Sequence, residues 1–372
     1  MLGVLRTTLA LMVMVYHLFV QLLPMGTYAV FGFYIISGYL MTLIMHESYG
    51  YTWFGRYSFA VNRFLRLYPQ YWAAAILSVL LILNVGPEAV AHYRGSMVLP
   101  ASYKGYISNL LMIFPSWYPN SVKPRLVPPT WALTVEIVFY VLICLGISKS
   151  FIRVKIWFLL SIGYVVVTFI AGLPSNNRYF PAAAASLPFS IGSGVFFMSK
   201  DSRIYDLYLK LKVSSAALFI LMIAHCLVWV VLSKRRIGGL VEIGFYMNIV
   251  ICTVLVYSVV SGGKIGKINQ SIDKFIGDFS YPIYLLHWQS GLLASLAIFG
   301  EGLHGFSIRG FISLAVSIPI VCMLSFASML VIDKPIQRIR AKIKTNKRLH
   351  GIGDKRFPVS ASIESVEEVL KA

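Results

Sequence analysis

The chain has 372 residues, of which 58% are hydrophobic and only 13% are charged, and its mean hydropathy is +0.75. A soluble domain carries about 25% charged residues, so composition excludes a soluble enzyme or binding module and points to a polytopic membrane protein. The net charge of +19 has no basic soluble domain to reside in. It is read as membrane topology and contact with anionic lipid, not as nucleic-acid binding.

Apolar runs of about 17 to 25 residues predict an all-α fold with about ten transmembrane helices. They lie near residues 4–23, 27–46, 69–85, 131–148, 154–173, 181–199, 213–232, 243–261, 279–299 and 310–332. The first is read as a span, because no small-residue cleavage site follows it. The third and sixth are short and are expected to tilt or re-enter. An even number of spans puts both termini on one side. That side collects most of the lysines and arginines, which favour the cytoplasm, so both termini are expected to be cytoplasmic. Residues 1–335 read as one membrane domain. Residues 336–372 read as a cytoplasmic tail, basic and then acidic at Glu364, Glu367 and Glu368, and partly disordered. The longest segment on the opposite side, 86–130, is rich in proline and aromatics and is expected to pack as an ordered loop over that face. The four cysteines fall inside spans and no CxxC occurs, so neither a disulfide framework nor a metal site is expected.

Ionisable groups inside a membrane are costly and mark function by default. Arg6 and His17 sit eleven residues apart in the first span. On an α-helix that is roughly three turns plus about 20°, so the two share a face about 16 Å apart along the axis. Glu136, in Trp131-Ala-Leu-Thr-Val-Glu136, lies about 8 Å below the opposite face, at a depth similar to that of His17. A carboxylate orienting an imidazole makes a general base, so His17 and Glu136 are expected to pair; the alternative is an ion pair tying two spans together. His287 in the ninth span is balanced between structural and functional readings, and His225 reads as packing. Ser37-Gly38 lacks a nucleophile elbow and reads first as helix packing. Arg63 and Arg66 share a helix face. With Arg6 they can form a cluster for a phosphorylated ligand, the alternative being contact with lipid headgroups.

Six ordered segments carry a resemblance. They are Arg6 with His17; Phe33-Tyr-Ile-Ile-Ser37-Gly-Tyr-Leu-Met-Thr42; Asn62-Arg-Phe-Leu-Arg-Leu-Tyr-Pro69; Trp131-Ala-Leu-Thr-Val-Glu136 with Phe139-Tyr140; Ser280-Tyr-Pro-Ile-Tyr-Leu-Leu-His287; and Asp333-Lys-Pro335. Together they resemble the acyltransferase-3 family of integral membrane acyltransferases over about residues 1–340. The resemblance implies transfer of an acyl group, usually acetyl from acetyl-CoA, to hydroxyls of surface or exported carbohydrates such as O-antigen or exopolysaccharide. It implies a bacterial inner membrane location and no permanently bound cofactor. By the same resemblance His17 matches the essential histidine, Arg6 its paired arginine, Arg63 and Arg66 the RxxR motif, and Glu136 the glutamate of the Trp-x-Leu-x-x-Glu motif. Arg6, Arg63 and Arg66 hold the acyl donor, and Trp131, His287 and Ser37 support the site. The chain departs from the family in Ala29-Val-Phe-Gly-Phe33, which lacks the acidic residue that many members carry there.

The implied mechanism places the phosphates of acetyl-CoA on the three arginines and the thioester near His17. His17 then either deprotonates an acceptor hydroxyl or carries the acyl group itself. The expected partners are acyl-CoA, a carbohydrate acceptor and membrane lipid. Arg94, Lys104, Lys123 and Arg125 of the loop are available to an acidic glycan. A secondary transporter or flippase is the competing class, but no repeat symmetry in the chain supports it.

Overall fold

A computed structural model describes residues 2–233 and 238–340. Among the described residues there are helices and no strand. Ten helices are long and apolar enough to cross a membrane: Leu2–Val20, Pro24–Tyr49, Trp53–Val85, Pro128–Leu145, Phe151–Ile170, Ser175–Met198, Ser215–Ser233, Val241–Val260, Gln270–Phe299 and Ile308–Arg340. They are called spans 1 to 10 below. Leu2 and Arg340 lie on one side, called here the terminal side; the segment between spans 3 and 4 lies on the other, the loop side.

Spans 3, 9 and 10 depart from the sequence expectation, span 9 by starting at Gln270 and not near residue 279. Span 3 is not a short helix from residue 69 but one continuous helix, Trp53–Val85, with Pro69 inside it. Arg56, Arg63 and Arg66 depress the hydropathy of its first half, and so the apolar run alone starts late. Span 10 continues through Asp333 to Arg340, so residues 336–340 are helix and not tail. The expected disorder of the remaining tail lies outside the described residues.

Spans 2 and 9 are the most buried and form the axis of the bundle. Span 2 packs on spans 1, 6 and 8, and span 9 on spans 1 and 10. Its closest approach is to span 6, where small residues let the backbones meet. A Cβ on Gly38 would stand 2.3 Å from the Phe189 carbonyl oxygen, and one on Gly192 would stand 2.0 Å from that of Ile35. Without a hydrophobic force between helices in lipid, such close approach is a main source of association.

Span 1 is fixed at its start by the helix segment Gln270–Asp278. Asp273 accepts hydrogen bonds from the Gly3 and Val4 N–H groups at 3.0 and 2.9 Å, satisfying free donors at the positive end of the helix. On the loop side, residues 86–127 are ordered, with helices Pro87–Tyr93 and Tyr103–Leu111. Tyr68, Tyr71 and Trp72 of span 3 donate to the carbonyls of Leu111, Asn109 and Leu110. Asn109 in turn binds the Leu126 N–H and the carbonyls of Gly105 and Pro124.

Candidate active site

His17 is not in the regular part of its helix. The α-helix Leu2–Val15 gives way to a π turn, Tyr16–Val20. Such a turn shifts the angular phase and often marks a functional site. The turn ends at Gln21, whose φ of 52° is left-handed and whose N–H donates to the Tyr16 carbonyl at 2.8 Å. Two further bonds hold this turn from outside the span. The Gly305 N–H donates to the Leu18 carbonyl at 2.9 Å. The Gln21 side chain meets His304 Nδ1 at 2.6 Å, while His304 Nε2 reaches the Tyr93 carbonyl at 2.9 Å. A carbonyl only accepts, so His304 carries its proton on Nε2 and its Nδ1 accepts from the Gln21 amide. His304 lies outside the spans, and burial lowers its pKa. The Tyr93 carbonyl opposes this shift, and the charge on Arg94 adds to it.

The partner of His17 is His287. His17 Nδ1 stands 2.9 Å from His287 Nε2, with the two rings stacked at 5.0 Å. His287 is completely buried, and its Nδ1 stands 2.9 Å from the Tyr284 carbonyl oxygen. That carbonyl fixes the chain of protons. His287 is protonated on Nδ1 and therefore accepts on Nε2, so His17 donates from Nδ1. The free lone pair of His17 is thereby left on Nε2. Trp288 packs on the same ring at 5.3 Å.

Glu136 is elsewhere, and the expected His17–Glu136 pair is not formed. One Glu136 oxygen, Oε1, accepts from Ser37 Oγ and from Tyr140 OH, each at 2.5 Å. Similar depth was the argument for the pair. Depth does not specify direction around the bundle, and the two residues point to different neighbours. Ser37 belongs to this second cluster, while the adjacent Gly38 makes the close packing with span 6. Trp131 is buried against Tyr179 and Phe180, with ring centroids at 5.6 and 5.2 Å. It packs the entry of span 4.

Toward the terminal side the three arginines do converge. Arg6 lies within electrostatic reach of Arg66, Asp278, Tyr140 and Glu136, and Arg63 within reach of Tyr140, Arg66 and Glu136. Their pairing differs. Arg66 Nη1 reaches both oxygens of Asp333, at 2.9 and 3.1 Å, and its Nη2 lies 3.9 Å from Asp278. Arg63 reaches only neutral groups, Asn62 Oδ1 at 3.3 Å and Met41 Sδ at 3.7 Å. Arg6 has no hydrogen bond or ion pair among the described residues. Arg340, which sequence reasoning did not single out, donates from Nε to Asn62 Oδ1 at 2.9 Å and joins the cluster. Arg6 and Arg63 thus have no carboxylate partner among the described residues, whereas Arg66 is held by carboxylates.

The two loop arginines differ from each other. Arg125 is not free for a ligand. It is buried and donates to the carbonyls of Pro128, Asn120 and Val122, with the first two at 3.0 and 2.7 Å; burial brings its pKa down to about 10. Arg94 instead lies on the Trp288 ring, 4.4 Å from its centroid. Tyr93, Trp288, His304 and Gln21 were missed as site residues, because contacts between a loop and a distant span leave no spacing in the sequence. His225 packs against Tyr28 and Trp229 with ring centroids at 5.6 and 5.8 Å, and both of its ring nitrogens are buried with no hydrogen-bond partner among the described residues.

A family model for an acyltransferase domain, acyltransferase 3, matches residues 2–333. No curated protein and no solved structure matches the chain. The match takes in all ten spans up to Asp333, and it includes the His17–His287 pair, the Glu136 cluster and the converging arginines. The chain belongs to the acyltransferase-3 family and is an integral membrane acyltransferase.

Proposed function

We propose that the protein moves an acetyl group from acetyl-CoA, bound from the cytoplasm, to a hydroxyl of a surface or exported carbohydrate on the other side of a bacterial inner membrane. In this reading the terminal side is cytoplasmic. The observation that carries it is a histidine base in span 1, with its lone pair left on Nε2, together with two guanidinium groups that have no ion pair among the described residues: Arg6, about three turns earlier in the same span, and Arg63 of span 3. The His17–His287 contact is at 2.9 Å. Arg6 and Arg63 hold the donor's phosphates through charge-assisted hydrogen bonds, with Arg66 and its carboxylates as their support. The pantetheine arm then runs toward His17 past Glu136, Ser37 and Tyr140.

His17 Nε2 takes the proton of the acceptor hydroxyl as its oxygen attacks the thioester carbonyl. The C–O bond forms, the C–S bond breaks, and the CoA sulfur leaves and takes up a proton. His287 accepts from Nδ1 throughout, so the positive charge that develops on His17 is shared across the pair. This is the orienting role of the third member of a catalytic triad, filled here by a neutral imidazole. In the acyl-carrier variant of the scheme, the same Nε2 attacks the thioester first. The reading is tested by mass spectrometry of surface glycans from cells with and without the protein. The expected result is loss of one acetyl mass per modified sugar; unchanged glycans overturn it. A transporter would alter the amount of glycan on each side of the membrane but form no ester.

A further inference from the structure

On the loop side of His17 the hydrogen-bonding groups are unbalanced. Arg94 lies over the Trp288 ring, 4.4 Å from its centroid, and the His17 ring is 5.3 Å from the same indole. One tryptophan side chain therefore contacts both the guanidinium and the base. Arg94 forms no ion pair and its side chain donates no hydrogen bond among the described residues; its Nε is buried without a partner, as is the Trp288 indole Nε1. The Tyr16 hydroxyl, within electrostatic reach of Arg94, also makes no hydrogen bond among these residues. Arginine and tryptophan only donate. The unsatisfied capacity here is nearly all donor, and His17, within electrostatic reach of Arg94, keeps an acceptor on Nε2.

A ligand that completes this site must bring acceptors to Arg94 and one hydroxyl to His17. No carboxylate pairs with Arg94, and the second cation nearby, Arg125, is spent on backbone carbonyls. Burial lowers the pKa of Arg94, while Tyr16 and Tyr93 oppose that shift. A bound anion would stabilise the guanidinium further. Its planar fork, preset by stacking on the indole, suits a carboxylate or phosphate bound through two oxygens.

We propose that Arg94 recognises an anionic substituent of the acceptor, a carboxylate or phosphate one sugar residue or less from the hydroxyl that is acylated. The acceptor is thus an acidic sugar or a sugar on a phosphate-bearing carrier. This rests on the transferase reading and adds the charge of its second substrate.

The test measures binding to the purified full chain in nanodiscs by microscale thermophoresis, with two pairs of probes. One pair is a glucuronate-containing oligosaccharide and its neutral methyl ester. The other is a long-chain polyprenyl phosphate and the corresponding polyprenol. One charged probe is expected to bind about tenfold or more tightly than its neutral counterpart, and the pair that discriminates identifies the source of the anion. Arg94→Gln should abolish the difference while leaving acetyl-CoA affinity unchanged, and Arg94→Lys should restore part of it. Equal binding of charged and neutral forms in both pairs, or a preference that survives Arg94→Gln, overturns the proposal. Loss of turnover in Arg94→Gln with no change in charge preference also overturns it and assigns Arg94 to the reacting carbonyl instead. Failure of the transferase reading looks different: charge-selective binding would persist in a protein that never consumes acetyl-CoA.

Discussion

A histidine is a base only at the nitrogen its surroundings leave unprotonated, and at position 17 the choice is made two residues away. The Tyr284 carbonyl fixes His287, and His287 at 2.9 Å fixes His17. Replacing His287 with Phe removes the acceptor for Nδ1 but keeps an aromatic ring in the stack. General-base catalysis is worth roughly 10²- to 10⁴-fold, and His287→Phe should lose a large part of that in kcat with little change in KM for acetyl-CoA. Steady-state kinetics that show the reverse would make His287 a packing residue. The arginines divide in the same way. Breaking a buried ion pair by removing one partner costs about 3–5 kcal/mol, so Asp333→Ala and Arg66→Ala should both lower the unfolding midpoint in detergent. Arg63→Ala should leave that midpoint near wild type and raise KM for acetyl-CoA. The cost of Arg6 and His17 inside a span was legible in the sequence, and so was the family pattern. The partner of His17 was not. Matching depth favoured Glu136, but depth leaves the angle around the bundle open, and His287 carried no acidic neighbour to distinguish it.

Elements show a similar division. Ten apolar runs were readable because each has the length a bilayer demands, but span 3 was misjudged where function intrudes on hydropathy. Its first half carries Arg56, Arg63 and Arg66, of which Arg66 pairs with Asp278 of span 9 and Asp333 of span 10, so the helix begins at Trp53 although the apolar run does not. The π turn at Tyr16–Val20 is invisible in sequence, because it is imposed by Gln21, His304 and Gly305 from outside the span. Gly38 was read correctly as a packing residue, while its neighbour Ser37 turned out to serve Glu136. A methyl group on Gly38 or Gly192 would meet backbone oxygen at 2.3 or 2.0 Å, and backbone cannot give way as a side chain can. Overpacking of this kind costs about 1–3 kcal/mol. Gly38→Ala and Gly192→Ala should each lower the unfolding midpoint, and a double substitution should cost less than the sum, because one separation of spans 2 and 6 relieves both. Additive losses in thermal unfolding would show that the two contacts are independent.

Across the whole molecule, a cluster of arginines near one face and the His17–His287 pair toward the other are joined along span 1, and loop 86–127 packs beside that pair through Tyr93 and Arg94. His304 is part of that closure, and its pKa is lowered from about 6.5 chiefly by burial. Below that ordinary value the unfolded chain binds a proton that the folded chain resists, so stability is full above pH 6.5 and falls as pH drops beneath it. The unfolding midpoint of the wild type should therefore decline between pH 7.5 and 5.5 more than that of His304→Gln; parallel declines would remove His304 from the account. Chemistry from His17 Nε2 is tested by transfer of labelled acetyl from acetyl-CoA to glycan by purified protein in sealed vesicles. The wild type should transfer the label, and His17→Ala should lose transfer while still binding acetyl-CoA. Transfer by His17→Ala at the wild-type rate would contradict it.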